Sequence, residues 1–275
     1  MADIVRSFYA GFGEREWGRL DRPDDGQLEF AITTALLAQH LPAHGRVLDN
    51  GGGPGRYSLW LAERGYRVSL ADLSPELLAI GRAHIAASPV AAQIEEVVEA
   101  DARDLSRWSD ASFDAVLALG PFYHLTTAAG RDAAAQEIAR VLAPGGLAFV
   151  ALMPRLAFLR RVLATPAERH LLGQPGFIER VLEEGVFHND RPGAFTEGYG
   201  VRPEEVAPYF ARFGFQPIAL VAAQGFAPDL QGALAALAVE DQAAYRAVLD
   251  ALLRTAADPA ILGMTNHLLY IARRA

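Results

Sequence analysis

The sequence contains neither cysteine nor lysine. Without cysteine there are no disulfides, no thiolate nucleophile and no cysteine-ligated zinc or iron–sulfur centre. Without lysine there is no Schiff-base chemistry, no Walker-A grip on phosphates and no lysine general base. All 25 cationic side chains are therefore arginine. Long apolar runs are also missing: nothing approaches the roughly 18 residues that a membrane-crossing helix needs. The opening MADIVRSFYAGF lacks the basic-then-apolar pattern of a secretory signal, so a cytoplasmic location and no membrane partner are expected. Excess positive charge is absent too. A formal charge of −8 suits a phosphate backbone poorly, and nucleic acid is not an expected partner.

What is present is the composition of an ordered globular chain, 51% hydrophobic and 21% charged over 275 residues. Short β-like runs, Arg46 to Leu48 and Arg67 to Ala71, flank a helical stretch from Tyr57 to Arg64. Ser74 and Pro75 form an N-cap and first turn for the next helix. Ile94 to Val98 reads as a strand followed by a turn at Asp101–Asp104, and Phe113 to Leu119 as a buried strand. Ala128 to Leu142 reads as an amphipathic helix. It is broken by Pro144-Gly145-Gly146 before the strand Leu147 to Leu152. Strands alternating with helices predict an α/β fold, a mostly parallel sheet with helices on both faces.

After Leu152 the pattern changes. Met153 to Gly200 is too long for an ordinary connection, and it is expected to be an inserted lid or, alternatively, a surface elaboration. Regular patterning then resumes with a helix from Pro203 to Phe213, capped at Gly214. Two closing strands follow, Phe215 to Ala223 and Asn266 to Ala272, with helices at Leu230–Ala238 and Asp241–Ala256 between them. The whole chain, 1–275, reads as one domain with an N-terminal helical cover over 1–42 and the lid over 153–200.

The segment Asp49-Asn50-Gly51-Gly52-Gly53-Pro54-Gly55 follows a strand and precedes a helix, where backbone N–H groups face a ligand. Gly51, Gly53 and Gly55 are expected at positive φ. A dinucleotide fingerprint G-x-G-x-x-G begun at Gly51 needs glycine where Arg56 stands, and begun at Gly53 it needs glycine where Ser58 stands. Asp72 ends the second strand. It serves either a ribose, accepting from both hydroxyls, or the N-terminus of the helix after Ser74. Asp101 ends the third strand, as an adenine acceptor or as a plain turn aspartate.

Together these motifs resemble those of the class I S-adenosylmethionine-dependent methyltransferases over about Val47 to Leu152. The resemblance implies a Rossmann-like, seven-stranded sheet ending in an antiparallel hairpin, with S-adenosylmethionine as cofactor. By the same resemblance Asp49 and Gly51 hold the methionine ammonium and Gly53 and Gly55 shape the cradle. Asp72 with Leu73 takes the ribose, Asp101 with Ala102 the adenine, and Leu119 lines the site. The N-terminal helix would close over the cofactor, bringing Tyr9 or Arg6 to the methionine carboxylate. The post-strand loop Leu119 to Leu125 carries Tyr123 and His124. His124 serves as a general base, or it caps the next helix or packs beneath the loop, and Tyr123 hydrogen-bonds or shapes the pocket. Gly120-Pro121-Phe122-Tyr123 lacks the amide and second proline of adenine-N6 methyltransferases.

The implied reaction is methylation of a small organic acceptor at O, N or C. The alternatives are a catalytically silent binding protein of this fold and a nucleotide-linked oxidoreductase. In the lid, His188, Asp190, Phe195 and Tyr199 are placed either against the acceptor or in ordinary packing. No metal is expected, since the spacing of His124, His188 and Asp190 is not ligand-like.

Overall fold

The computed structural model describes residues 2–22, 25–191, 194, 195 and 197–275. Residues 192, 193 and 196 of the expected lid, and 1, 23 and 24 of the expected cover, lie outside them.

Among the described residues nine strands form the sheet: β1 (Arg46–Asn50), β2 (Arg67–Asp72), β3 (Ile94–Glu99), β4 (Phe113–Ala118), β5 (Leu142–Pro154), β6 (Val186–His188), β7 (Glu197–Val201), β8 (Phe215–Ala222) and β9 (Leu268–Arg274). The order β3-β2-β1-β4-β5 is parallel throughout. β9 pairs antiparallel with β5, and β8 antiparallel with β9. These seven strands are the predicted sheet with its closing hairpin. The other two, β6 and β7, lie in the lid segment and join the far end of β5 through Met153 opposite Gly200 and Pro154 opposite Val201. Their three and five residues are too few to show a period of their own.

The central strands are apolar on both faces because helices cover both. Side chains alternate between two cores with the period of 2 that a strand imposes. Leu48, Val116, Ala118, Ala148 and Val150 join one core, under the helices Ala128–Val141 and Pro203–Ala211. Val47, Ala115, Leu117, Leu147 and Phe149 join the other, under Asp25–His40 and Arg56–Ala62. Helix Asp25–His40 buries Leu28, Ile32, Leu36 and Leu37 in that core. This half of the N-terminal cover is thus structural, and only the part before it lies over a cleft. Pro144-Gly145-Gly146 sits in a bulge between Phe113–Leu142 and Ala115–Leu147 pairing, with Gly145 at φ 78°.

The segment expected as a lid, 153–200, has a small core of its own. Helix Arg155–Ala164 packs Phe158 and Val162 against Leu171, Phe177, Val181 and Phe187. The Phe158 and Phe187 rings stack with centroids 4.8 Å apart.

Candidate functional site

Strand order reverses between β1 and β4, since β1 leads outward to β2 and β3 on one side and β4 to β5 on the other. Crossover connections on the two sides diverge there, and a crevice opens at the carboxyl ends of the strands. The cleft holds about 1150 Å³ of empty space, counting the solvent at its mouth. Its walls come from the ends of β1 to β4 and from the N-terminal segment.

The glycine loop forms its floor. Gly51 and Gly52 both donate to the Ala71 carbonyl, at 2.8 and 3.1 Å, which folds the loop back over β2. Gly51, Gly53 and Gly55 have φ of 76°, 55° and 85°, as the sequence led one to expect. A β-carbon on Gly51 would stand 2.6 Å from Pro121, so the post-β4 loop and the glycine loop touch only because that position is bare. Gly55 does not line the cleft. It turns the chain into helix Arg56–Ala62.

Asp49 is almost fully buried behind this loop. Its Oδ2 accepts from the Ser58 hydroxyl at 2.7 Å, while Oδ1 has no partner among the described residues. Burial raises its pKa to about 6, against the opposing Ser58 bond. The folded chain therefore keeps a proton between pH 3.8 and about 6 that the unfolded chain releases, so stability falls as pH rises through that window. The Asn50 side chain is buried beside it, with Nδ2 also unpartnered.

Asp72 reaches across from β2. Its two oxygens take the N–H groups of Gly53, at 2.7 Å, and Ser74, at 2.8 Å. Asp72 thus holds the turn before the helix, one of the two readings of the sequence, and each of its oxygens retains a second lone pair. Ser74 caps its helix as expected, accepting from Leu77 N at 3.3 Å. Asp101 and Ala102 line the cleft at the end of β3, with Asp101 held by the Arg103 guanidinium at 2.5 to 3.1 Å. That partner, after the cost of burial, lowers the carboxyl pKa.

A cleft, a bare-backbone floor and acidic residues at the ends of the first three strands meet in one place. Residues 47–146 match the family model of the methyltransferase domain. Over those residues the chain is similar to a methyltransferase domain.

Among solved structures, the domain resembles an S-adenosylmethionine-dependent methyltransferase of Methanosarcina mazei (18% identity, 87% of this chain and 96% of that one, TM-score 0.59). It also resembles the 1,6-didemethyltoxoflavin-N1-methyltransferase of Burkholderia thailandensis (17% identity, 100% and 88%, TM-score 0.58). These likenesses establish the fold. By sequence, the chain is 30% identical over 175 residues to a ubiquinone biosynthesis O-methyltransferase of Xanthomonas axonopodis, covering 64% of each protein. A Xanthomonas oryzae counterpart is 32% identical over 146 residues, 53% of this chain and 55% of that one. The match thus spans less than two thirds of these relatives' length.

Around the cleft the remaining predicted residues separate. Leu73, Leu119, Tyr9, Tyr123 and His124 line the cleft with those above. Arg6 lines it too, paired with Glu99 at 3.3 Å. The Tyr9 hydroxyl meets His124 Nε2 at 2.9 Å. His188 pairs with Glu197, Asp190 with His170, and Tyr199 lies under the Arg131 guanidinium, none of them lining the cleft. Phe195 alone of the lid candidates approaches the site, its ring 5.1 Å from that of His124. No cluster of three or more metal-ligating side chains occurs among the described residues, and no helix there is long and apolar enough to cross a membrane.

Sequence reasoning missed Arg19. It lines the cleft and pairs with Glu16 at 2.9 Å and Glu29 at 3.1 Å. The paired acids hold its pKa well above the usual value although burial opposes them. Its partners lie on separate helices, so no local motif marked it. Burial lowers the His124 pKa from 6.5 to about 4. The unfolded chain takes up a proton there first as pH falls, so this contribution to stability is complete above pH 6.5 and lost toward about 4.

Proposed function

We propose that this chain is an S-adenosylmethionine-dependent methyltransferase that transfers a methyl group to O, N or C of a small organic acceptor. The observation that carries the reading is the buried Asp49 carboxylate at the cleft, whose Oδ1 has no partner. A buried acid oxygen without a partner is costly, and a cationic amine would satisfy it. On this reading Asp49 and the Gly51 carbonyl hold the methionine ammonium. Gly53 supplies bare backbone, Asp72 and Leu73 meet the ribose, and Asp101 and Ala102 meet the adenine. Leu119 and Leu20 close the sides. When bound, the donor supplies a methyl group already activated on a sulfonium.

The protein's share of the work is then alignment and the exclusion of water. The N-terminal segment up to Leu20 acts as the cover, and the lid over 153–200 stands behind His124 through Phe195. The named relatives act on small organic acceptors or in ubiquinone biosynthesis, which supports the acceptor class. A cytoplasmic location and one domain over 1–275 belong to the same reading.

The test is the pH dependence of affinity. Asp49 must ionise to hold an ammonium, so S-adenosylmethionine should bind about tenfold more tightly at pH 7 than at pH 5, the ratio of ionised fractions around a pKa of about 6. Calorimetry at both values checks this. Asp49→Asn should bind weakly and nearly equally at the two. No binding by the wild type at either pH would end the reading.

A further inference from the structure

The hydroxyl of Tyr9 and Nε2 of His124 come from segments 115 residues apart and meet at 2.9 Å in the wall of the cleft. His124 is buried and Tyr9 half-buried. The Glu197 backbone acts on the imidazole in the sense of a carbonyl accepting from a ring N–H, which matches the tautomer with its proton on Nδ1. In that tautomer Nε2 is the lone-pair nitrogen, and the Tyr9 hydroxyl donates to it at 2.9 Å. Nε2 is therefore not free to face an acceptor. The Tyr9 oxygen, whose own proton points at His124, has lone pairs to offer. Phe195 packs its ring 5.1 Å from His124 and 6.2 Å from Phe8, walling the pair from the lid side. Tyr123, whose hydroxyl donates to the Leu119 carbonyl at 3.4 Å, flanks the pair from the loop side, its ring 4.8 Å from that of His124.

Resting on the methyltransferase reading, we infer that Tyr9 is the catalytic residue that touches the acceptor, and that His124 takes the proton through it. As the acceptor's X–H bond breaks, its proton passes to Tyr9 Oη while the Tyr9 proton passes to His124 Nε2. X takes the methyl group, the electrons of the S–C bond stay on sulfur, and the lost sulfonium charge reappears as imidazolium. A buried imidazole of low basicity keeps its lone pair at neutral pH and returns the proton to solvent afterwards. The pair exists only while the N-terminal helix Ala2–Ala10 is seated, so the same closure that excludes water assembles the proton acceptor. This moves Tyr9 from the methionine carboxylate, where the family resemblance put it, to the acceptor side.

The experiment uses full-length protein labelled with ¹⁵N in the histidine rings and saturated with S-adenosylhomocysteine, as wild type, Tyr9→Phe and Tyr123→Phe. The wild type should show His124 as the Nδ1–H tautomer with a hydrogen-bonded Nε2. Tyr9→Phe should move that Nε2 resonance toward the free value, and Tyr123→Phe should not. Calorimetry should give S-adenosylhomocysteine affinity within twofold of wild type for Tyr9→Phe. Against a panel of phenol, catechol and benzylamine, any acceptor that the wild type methylates should lose about 10²-fold in kcat with Tyr9→Phe, at unchanged KM for the donor. An Nε2–H tautomer, an unmoved resonance, or a tenfold loss of S-adenosylhomocysteine affinity in Tyr9→Phe would overturn the proposal. Failure of the wild type to bind S-adenosylmethionine would instead sink the methyltransferase reading, and the ring spectra would still report on the pair.

Discussion

Asp72→Ala should weaken binding of S-adenosylmethionine by about 1.5–3 kcal/mol, the worth of hydrogen bonds to a charged group, or roughly ten- to 150-fold in Kd. Two losses combine. The ribose loses its acceptors, and the N–H groups of Gly53 and Ser74 lose the carboxylate that fixes them at 2.7 and 2.8 Å. Asp72→Asn separates the two, because an amide keeps one carbonyl oxygen for a backbone N–H and replaces the other acceptor with a donor. It should melt nearer to wild type than Asp72→Ala does, yet bind almost as poorly. Calorimetry on proteins shown by circular dichroism to be folded makes the measurement. Wild-type affinity in folded Asp72→Ala would remove Asp72 from the ribose.

The largest effect on stability is expected from Phe158→Ala. This ring is fully buried in the lid's own core, stacked on Phe187 and near Phe195. Truncating a buried phenylalanine costs about 3–5 kcal/mol through lost transfer energy and the cavity left behind. β7 joins the sheet only at the end of β5, so the loss should open the lid before the main sheet. Hydrogen exchange should show residues 155–188 losing protection while β1 and β4 keep theirs. Uniform loss across the sheet would mean that the lid and sheet unfold as one unit. Equal protection everywhere would mean that the small core holds little of the lid's stability.

The parallel strands were legible because burial on two faces leaves near-continuous apolar runs, such as Phe113 to Ala118, that helices and loops do not imitate. The cradle was legible because its requirement is local: three glycines at positive φ within five residues, with Asp72 closing the next strand. The hairpin of β6 and β7 was not. Val186–His188 is too short to carry a pattern, and its partner strand holds two glycines. Helix Asp25–His40 was assigned to a cover because its position near the N-terminus was the only guide, and its burial under the sheet depends on what the sheet presents. Arg19 was overlooked for a similar reason, since an arginine is marked as a site residue only by the acids it meets.

The sequence alone thus determined the parallel sheet, the glycine floor and the strand-end acids, because each follows from backbone conformation or from the spacing of neighbours along the chain. Only the tertiary structure decided that Tyr9 faces His124, that Arg103 holds Asp101, and that Phe195 of segment 153–200 stands beside His124. A side chain's chemistry is set by the group opposite it, and for Tyr9 and His124 that group arrives from a segment more than a hundred residues away.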